Sequence, residues 1–381
     1  MFRINQITVL GSGIMGHGIA QISSMAGYNV VLRDIEQSFL DKAMDKIKWS
    51  VNKLVEKNKI NQSQADDIIR RIKPVVNLKE SLQNSNMVIE AVPEDLNLKK
   101  KVYQEIEQFA TDDIVFASNT STLPISEISS FTSRPEKFIG LHFFNPPQLM
   151  PLVEIIPGSK TNQEITDLAI NFVQNVKKTP ILCKKDVPGF IVNRIFIPLV
   201  HEAAYCLERS NASMVEIDSA SKYKMALPMG IFELADYTGL DVIHKATNEM
   251  YTRDKKVIFP HPKIQQLYES KELGQKTGKG FYPYQGENYE RVQLTEEAAE
   301  KFDPTPLVAV AVNNASWLIS NGVCNTEELE QALKLGMGLK RELFKTAETI
   351  GIKNIINTLK NLQSQNEIFY EPDPYLLSLD K

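Results

Sequence analysis

Residues 7–34 read ITVLGSGIMGHGIAQISSMAGYNVVLRD, and no other stretch restricts the possible folds as much. Residues 7–10 are a short apolar run rich in β-branched side chains, the pattern of a parallel strand buried on both faces. Gly11, Gly13 and Gly16 follow in G-x-G-x-x-G spacing, with Ser12, Ile14 and Met15 completing the turn, and Gly18 to Met25 continue as a small-residue helix. After Gly27, NVVL reads as a second strand ending at Arg33-Asp34. Gly11 permits the tight strand-to-helix turn, Gly13 lets a pyrophosphate approach the backbone, and Gly16 lets the helix pack on the sheet. The helix N-terminus offers free N–H groups and positive dipole, and Asp34 stands where a carboxylate accepts hydrogen bonds from an adenosine ribose. Glycine triplets also make plain turns; the strand before, the helix after and the acidic end of the next strand point to a bound dinucleotide. Asp34 favours NAD, since a carboxylate repels a 2′-phosphate. Arg33 beside it can offset that repulsion, so NADP is not excluded.

At 381 residues the chain is long enough for two or three domains with real cores. A formal net charge of −4 argues against nucleic acid or an anionic membrane as partner. Cys183, Cys206 and Cys324 lie far apart without CxxC spacing, which excludes a disulfide framework or a zinc ribbon and suits a reducing compartment. The first residues, MFRINQITVLGSG, lack the apolar core of a signal peptide, and no window approaches a membrane-spanning run. A cytoplasmic protein is expected, with no resident metal.

Strand candidates VVNL (75–78), MVIEAV (87–92), DIVFASN (113–119), FIGLHFF (138–144) and LVEII (152–156) alternate with helical segments 37–57, 62–71 and 96–110. That alternation, up to about residue 157, predicts a doubly wound, mostly parallel sheet: an α/β Rossmann-type dinucleotide-binding domain over 1–185. From Pro188-Gly189 the pattern is helical throughout, predicting an all-α domain over 186–283. At a constant offset of 112 residues, Ala203, Glu216, Ala220, Lys222, Met225, Leu227, Phe232, Ala235, Gly239 and Ile243 recur as Ala315, Glu328, Ala332, Lys334, Met337, Leu339, Phe344, Ala347, Gly351 and Ile355. The reading is a degenerate duplicated helical unit over 305–365, after a linker at 284–304 and before a tail at 366–381. Thr305 stands where the first copy has Asn193, and the PMG turn of Pro228–Gly230 is lost, which argues for a structural second copy. KTGKGFYPYQGENYE, between the copies, looks like a loop crossing back toward a ligand.

Hydride removal from a hydroxyl-bearing carbon needs a base for the hydroxyl proton, and histidine suits that role near neutral pH. His142 and Glu154 sit on two successive apolar strand candidates joined by a Pro-rich turn, where a carboxylate could fix the imidazole. A histidine in an apolar stretch is also an ordinary structural residue. ASNTST (117–122) is a hydroxyl and amide cluster at a strand end, either ligand-facing or a helix cap through Ser121 or Thr122. Asn193 is either a plain buried polar residue or one reaching a domain cleft. Lys46, Lys48, Lys53, Lys57 and Lys59 form either a solvated helix face or a site for an anionic ligand tail.

VLGSGIMGHGIAQ, VVLRDI, FASNTSTLPI, GLHFFNPP, PLVEII, PGFIVNRIFIP, PMGIFELADYTGLD and KTGKGFYPY, in this order over about residues 5–283, resemble the L-3-hydroxyacyl-CoA dehydrogenase family, in particular its 3-hydroxybutyryl-CoA dehydrogenases. The resemblance implies NAD-dependent oxidation of short-chain (S)-3-hydroxyacyl-CoA to 3-oxoacyl-CoA and its reverse. It implies His142 as catalytic base held by Glu154, with Ser121 and Asn193 contacting the reacting 3-oxygen. It places Asn145 at the nicotinamide, makes Glu94, Lys99, Ser121 and Lys276 cofactor contacts beside the glycine loop and Asp34, and makes Ser50 and Lys57 coenzyme A contacts.

Two features depart from the family pattern. Members acting on acyl-CoA often carry a lysine before the LVE motif, where this chain reads NPPQLMPLVE with Pro151. That wording also resembles the branch that oxidises gulonate or carnitine, and a non-catalytic dinucleotide-binding protein is a further alternative. The second departure is the helical copy. Short members pair these domains across a dimer, so the chain is expected either as a monomer completed by its own duplicate or as a homodimer. Association with an enoyl-CoA hydratase is a further possibility for a family in which such fusions occur.

Overall fold

In the computed structural model, which describes residues 4–284 and 292–380, the first unit is built on eight strands. They are β1 (Gln6–Leu10), β2 (Asn29–Arg33), β3 (Ile72–Val75), β4 (Met87–Glu90), β5 (Val115–Ser118), β6 (Phe138–Phe143), β7 (Leu152–Pro157) and β8 (Thr179–Leu182). Helices α1 (Ile14–Met25), α2 (Gln37–Glu56), α3 (Gln62–Arg70), α4 (Leu78–Ser81), α5 (Leu96–Glu107), α6 (Ile125–Ser129) and α7 (Gln163–Asn175) connect them. The order is β3-β2-β1-β4-β5-β6-β7-β8, parallel except for β6 against β7. The chain builds outward from β1 to β3, then returns to lay β4 on the other flank of β1. That reversal opens a crevice at the carboxyl ends of β1 and β4, where sheets of this kind bind ligands. Ile7, Val9, Val30, Leu32, Met87 and Ile89 are buried in one core with the inner faces of α1 and α2.

Two local expectations are corrected. The strand expected at VVNL ends at Val75. Residues 78–81 are helical instead, because the Asn77 side chain caps the turn by accepting from the Glu80 N–H at 2.9 Å. The alternation does not stop near residue 157, but continues through α7 and β8. Pro74 and Pro180, which weaken both segments as strand signals, lie on the two edge strands, where a missing N–H is tolerated.

The chain divides into two compact units after Asp186. The second contains α8 (Val192–Arg209), α9 (Met214–Tyr223), α10 (Ile231–Thr238), α11 (Leu240–Arg253), α12 (Pro262–Glu269), α13 (Glu296–Ala299), α14 (Thr305–Ser320), α15 (Thr326–Gly336), α16 (Leu343–Ile350), α17 (Ile352–Leu362), α18 (Glu367–Tyr370) and α19 (Pro374–Ser378). At the offset of 112 residues, α14 to α17 stand where α8 to α11 do. The two corresponding glycine joints match as well, Gly239 at φ 101° and Gly351 at φ 97°. Asp218 on α9 accepts from the Phe232 and Glu233 N–H groups; Glu330 on α15 accepts in the same way from Leu343 and Phe344.

Of the expected linker, residues 285–291 lie outside the described residues, as does the end of the KTGKGFYPYQGENYE segment. The described part of that segment is tied to Asp236, which accepts from Phe281 N, Tyr282 N and the Tyr284 hydroxyl at 2.9 Å each. The described part of the expected tail, residues 366–380, is packed on the second unit. Tyr370 is fully buried, donates to Glu202 at 2.7 Å and accepts from Arg209 at 2.9 Å. Among the described residues no helix is long and apolar enough to cross a membrane.

Candidate functional site

The turn after β1 is shaped by where a side chain could not go. A Cβ on Gly16 would lie 1.7 Å from the Gly11 carbonyl oxygen, and one on Gly11, at φ 92°, would lie 2.6 Å from Ala91 O. Both glycines are demanded by packing alone. Gly13 differs, because nothing lies within 4 Å of its would-be Cβ. That open face, at the N-terminus of α1, fits a pyrophosphate approaching the backbone. Asp34 follows β2 beside it and accepts from the Ser12 N–H and hydroxyl, both at 2.7 Å. Its second oxygen accepts from Ile35 N, so the carboxylate is fixed in place at the edge of the crevice.

A charged cluster stands at the ends of β4 and β5. Lys99, 1% exposed, donates to Glu90 at 2.6 Å and pairs with Glu94 at 3.3 Å. Glu90 also accepts from Val92 N at 2.9 Å and from the Ser118 hydroxyl at 2.7 Å. One oxygen of Glu94 gathers the turn after β5, accepting from the Thr120 hydroxyl at 2.7 Å, Ser121 N at 2.8 Å and the Ser121 hydroxyl at 3.0 Å. Burial pushes the Glu94 carboxyl up, but the Lys99 ammonium and these donors outweigh it and hold it below the usual carboxylate range. Burial lowers Lys99, and Glu90 and Glu94 together raise it above the ordinary lysine value. Lys99 therefore stands beneath Glu94, and Glu94 in turn positions Ser121.

His142 lies directly opposite Glu154 in the antiparallel β6–β7 register. Residues so paired point to the same face of the sheet. The imidazole Nδ1 is 2.7 Å from Glu154 Oε2, with Glu154 fully buried and His142 6% exposed. Phe144 packs on the imidazole with ring centroids 4.5 Å apart. With Nδ1–H donated to a carboxylate, Nε2 is the basic nitrogen and the charged imidazolium is stabilised when it forms. The Asn119 side chain accepts from Phe143 N at 3.0 Å and so ties the Ser121 turn to the end of β6. Asn145 follows, exposed.

The sequence-derived residues thus fall into groups. The glycine turn with Asp34, the Glu94–Lys99–Ser121 cluster and the His142–Glu154 pair all stand at the carboxyl end of the sheet. Ser50 and Lys57 lie on α2 and at its C-cap, and Lys57 is exposed with no carboxylate partner among the described residues. Asn193, in the first turn of α8, and Lys276, paired with Asp241, belong to the second unit. Glu90 was not foreseen. Its one signal is an acidic residue closing the apolar strand MVIE, as Asp34 follows NVVLR on the other side of β1.

A dinucleotide-binding sheet carrying a buried histidine–carboxylate pair at its ligand-binding edge defines a nicotinamide-dependent oxidoreductase. Residues 6–187 match the family model described as 3-hydroxyacyl-CoA dehydrogenase, NAD binding domain, and residues 189–284 match that of the C-terminal domain. The chain belongs to the 3-hydroxyacyl-CoA dehydrogenase family, and NAD is its cofactor. It is similar to the mitochondrial hydroxyacyl-coenzyme A dehydrogenase of Rattus norvegicus, with 38% identity over 74% of this chain and 91% of that one. It is also 38% identical to the 3-hydroxybutyryl-CoA dehydrogenase of Clostridioides difficile, over 73% of this chain and 99% of that one. Among solved structures, (S)-3-hydroxybutyryl-CoA dehydrogenase from Ralstonia eutropha aligns at TM-score 0.71 and 35% identity, covering 74% of this chain and 100% of that one. The Escherichia coli K12 3-hydroxybutyryl-CoA dehydrogenase aligns over 99% of this chain and 98% of its own at TM-score 0.88 and 24% identity, sharing the fold through the second helical copy.

Proposed function

We propose that the chain interconverts short-chain (S)-3-hydroxyacyl-CoA and 3-oxoacyl-CoA, with His142 as the base. The 2.7 Å contact between His142 Nδ1 and the buried Glu154 carboxylate carries this reading. Nε2 takes the proton of the 3-hydroxyl, and Glu154 keeps the ring oriented and steadies the imidazolium. Ser121, held by Glu94, hydrogen-bonds the substrate oxygen. The glycine turn and Asp34 hold NAD, which when bound supplies the hydride acceptor. Lys57, at the end of α2 and without a carboxylate partner among the described residues, suits the anionic coenzyme A tail. Pro151 in NPPQLMPLVE favours a second reading, a non-CoA hydroxy acid such as gulonate or carnitine. Steady-state rates decide between them. Acetoacetyl-CoA with NADH is expected to be turned over and gulonate with NAD not, and a protein inert toward acetoacetyl-CoA would sink the first reading.

We further propose that the second helical copy takes the place of a partner subunit. In its support, α14 packs along α8 within the second unit, and the Arg194 guanidinium of α8 lies 3.4 Å from the centroid of the Trp317 ring of α14. Light scattering after size exclusion is expected to give the mass of one chain. A dimer built through residues 190–250 would overturn this.

A further inference from the structure

We infer that Gln21 is a positioning residue for the coenzyme A end of the substrate: a half-buried amide relay running Gln148 to Gln21 to Ser50 leaves the Ser50 hydroxyl as an outward donor. The inference rests on the acyl-CoA reading above.

Gln21 is 1% exposed, a primary amide in the middle of α1. Burying such a group is unfavourable unless its donors and acceptor are used. Here they are used in a fixed sense. Gln148 Nε2 donates to Gln21 Oε1 at 3.3 Å, and Gln21 Nε2 donates to Ser50 Oγ at 3.0 Å and toward the Met25 sulfur at 3.9 Å. Ser50 Oγ is therefore an acceptor on its protein side. A helical serine commonly gives its single proton to the carbonyl four residues back. Ser50 does not, and among the described residues nothing accepts that proton. A hydroxyl that accepts one hydrogen bond becomes a stronger donor of its own. It is left to meet an acceptor oxygen from outside, either a phosphate or an amide carbonyl of the coenzyme A moiety.

The other end of the relay is anchored in the loop that carries Asn145. Leu149 N and Met150 N both donate to Pro146 O at 3.0 Å. Lys178 donates to Met150 O at 2.8 Å and Gln148 O at 3.3 Å. The loop lies so close on α1 that a Cβ at Gly18 would fall 2.8 Å from the Gln148 amide oxygen and 3.0 Å from Pro147. The relay thus links the loop bearing Asn145 to the helix bearing Ser50 and Lys57.

A simple bolt between α1 and α2 would favour the isosteric Gln21→Glu over Gln21→Met. The relay reverses that order. A carboxylate at position 21 would accept the Ser50 proton, leaving Ser50 only lone pairs to offer. Steady-state kinetics with acetoacetyl-CoA and with acetoacetyl-pantetheine, each with NADH, test it. Gln21→Glu is expected to raise KM for acetoacetyl-CoA about tenfold and Gln21→Met about threefold, as for loss or reversal of one hydrogen bond. In both, kcat and KM for NADH should stay within about twofold of wild type. In a Ser50→Ala background, Gln21→Glu should change KM by less than about twofold, which separates turning the hydroxyl from plain charge repulsion. An effect kept with the pantetheine thioester assigns the acceptor to a carbonyl, and one confined to acetoacetyl-CoA assigns it to the phosphates. Equal effects of Glu and Met, or a Glu effect undiminished by Ser50→Ala, would overturn the relay. If Gln21→Glu does not fold, Gln148→Leu in the loop serves, with a KM rise of about threefold expected only while Ser50 is present. A wild-type protein inert toward acetoacetyl-CoA counts against the acyl-CoA reading; an active one lacking this pattern counts against the relay.

Discussion

Replacing His142 by glutamine is expected to lower kcat for acetoacetyl-CoA reduction by about two orders of magnitude or more while NADH still binds. The reason is separable from packing. Glutamine fills much of the same volume and can still donate to Glu154, so the β6–β7 pair should persist, but it cannot take or give the proton at the position of Nε2. Glu154→Gln makes the complementary change. The amide oxygen can accept Nδ1–H and keep the ring in place, yet no negative charge remains to steady the imidazolium, and a fall of about tenfold or more is expected. Because the two groups act as a unit, the double variant should be little slower than His142→Gln alone. The measurement is kcat alongside NADH fluorescence titration for all three. Near-normal turnover in His142→Gln would remove the histidine from the chemistry. Lost NADH binding would mean the change acted on the fold instead.

The glycine turn was legible in the sequence because its chemistry is local: strand, turn, helix and acidic strand end all fall within residues 7–34. Helices α2 and α3 were legible for a similar reason, since their apolar spacing is read within a few turns; the Asn61 cap that starts α3 is seen only in the structure. The His142–Glu154 pair was not fixed in that way. The two are joined through a loop of irregular length, and a slip of one residue in an antiparallel register would turn Glu154 to the other face of the sheet. The family motifs pointed to the pair; the β6–β7 register realises it. Glu90 and Gln21 went unread because their meaning lies in distant partners. Ser118 is 28 residues from Glu90, and Gln148 is 127 from Gln21. A buried charge or amide has no periodicity to announce it. β8 was hidden by Pro180, which only the edge position of the strand makes acceptable.

Lys99→Met is expected to destabilise the protein by about 3–5 kcal/mol near neutral pH, the range for breaking a buried charge pair from one side. The change removes one ammonium from between two carboxylates and leaves Glu90, fully buried, and Glu94 facing each other. The pH dependence tests the electrostatic cause. In the wild type Glu94 is held below its ordinary 4.5, so its contribution is present above that pH and fades as pH falls through the lowered value. Lys99 is held above its ordinary 10.5, so its contribution is full below that pH and fades as pH rises through the raised value. Between the two ordinary values this pair leaves wild-type stability level. Without the ammonium, a buried carboxylate must take up a proton more readily folded than unfolded, so the variant gains stability as pH falls within the same window. Urea unfolding at pH 8 and pH 5 should therefore show a deficit that shrinks at pH 5. Because Glu94 gathers Thr120 and Ser121, the folded variant should also bind NADH more weakly. A deficit that does not change with pH would mean that lost packing of the lysine stem, not the buried charges, sets the stability of this corner of the sheet.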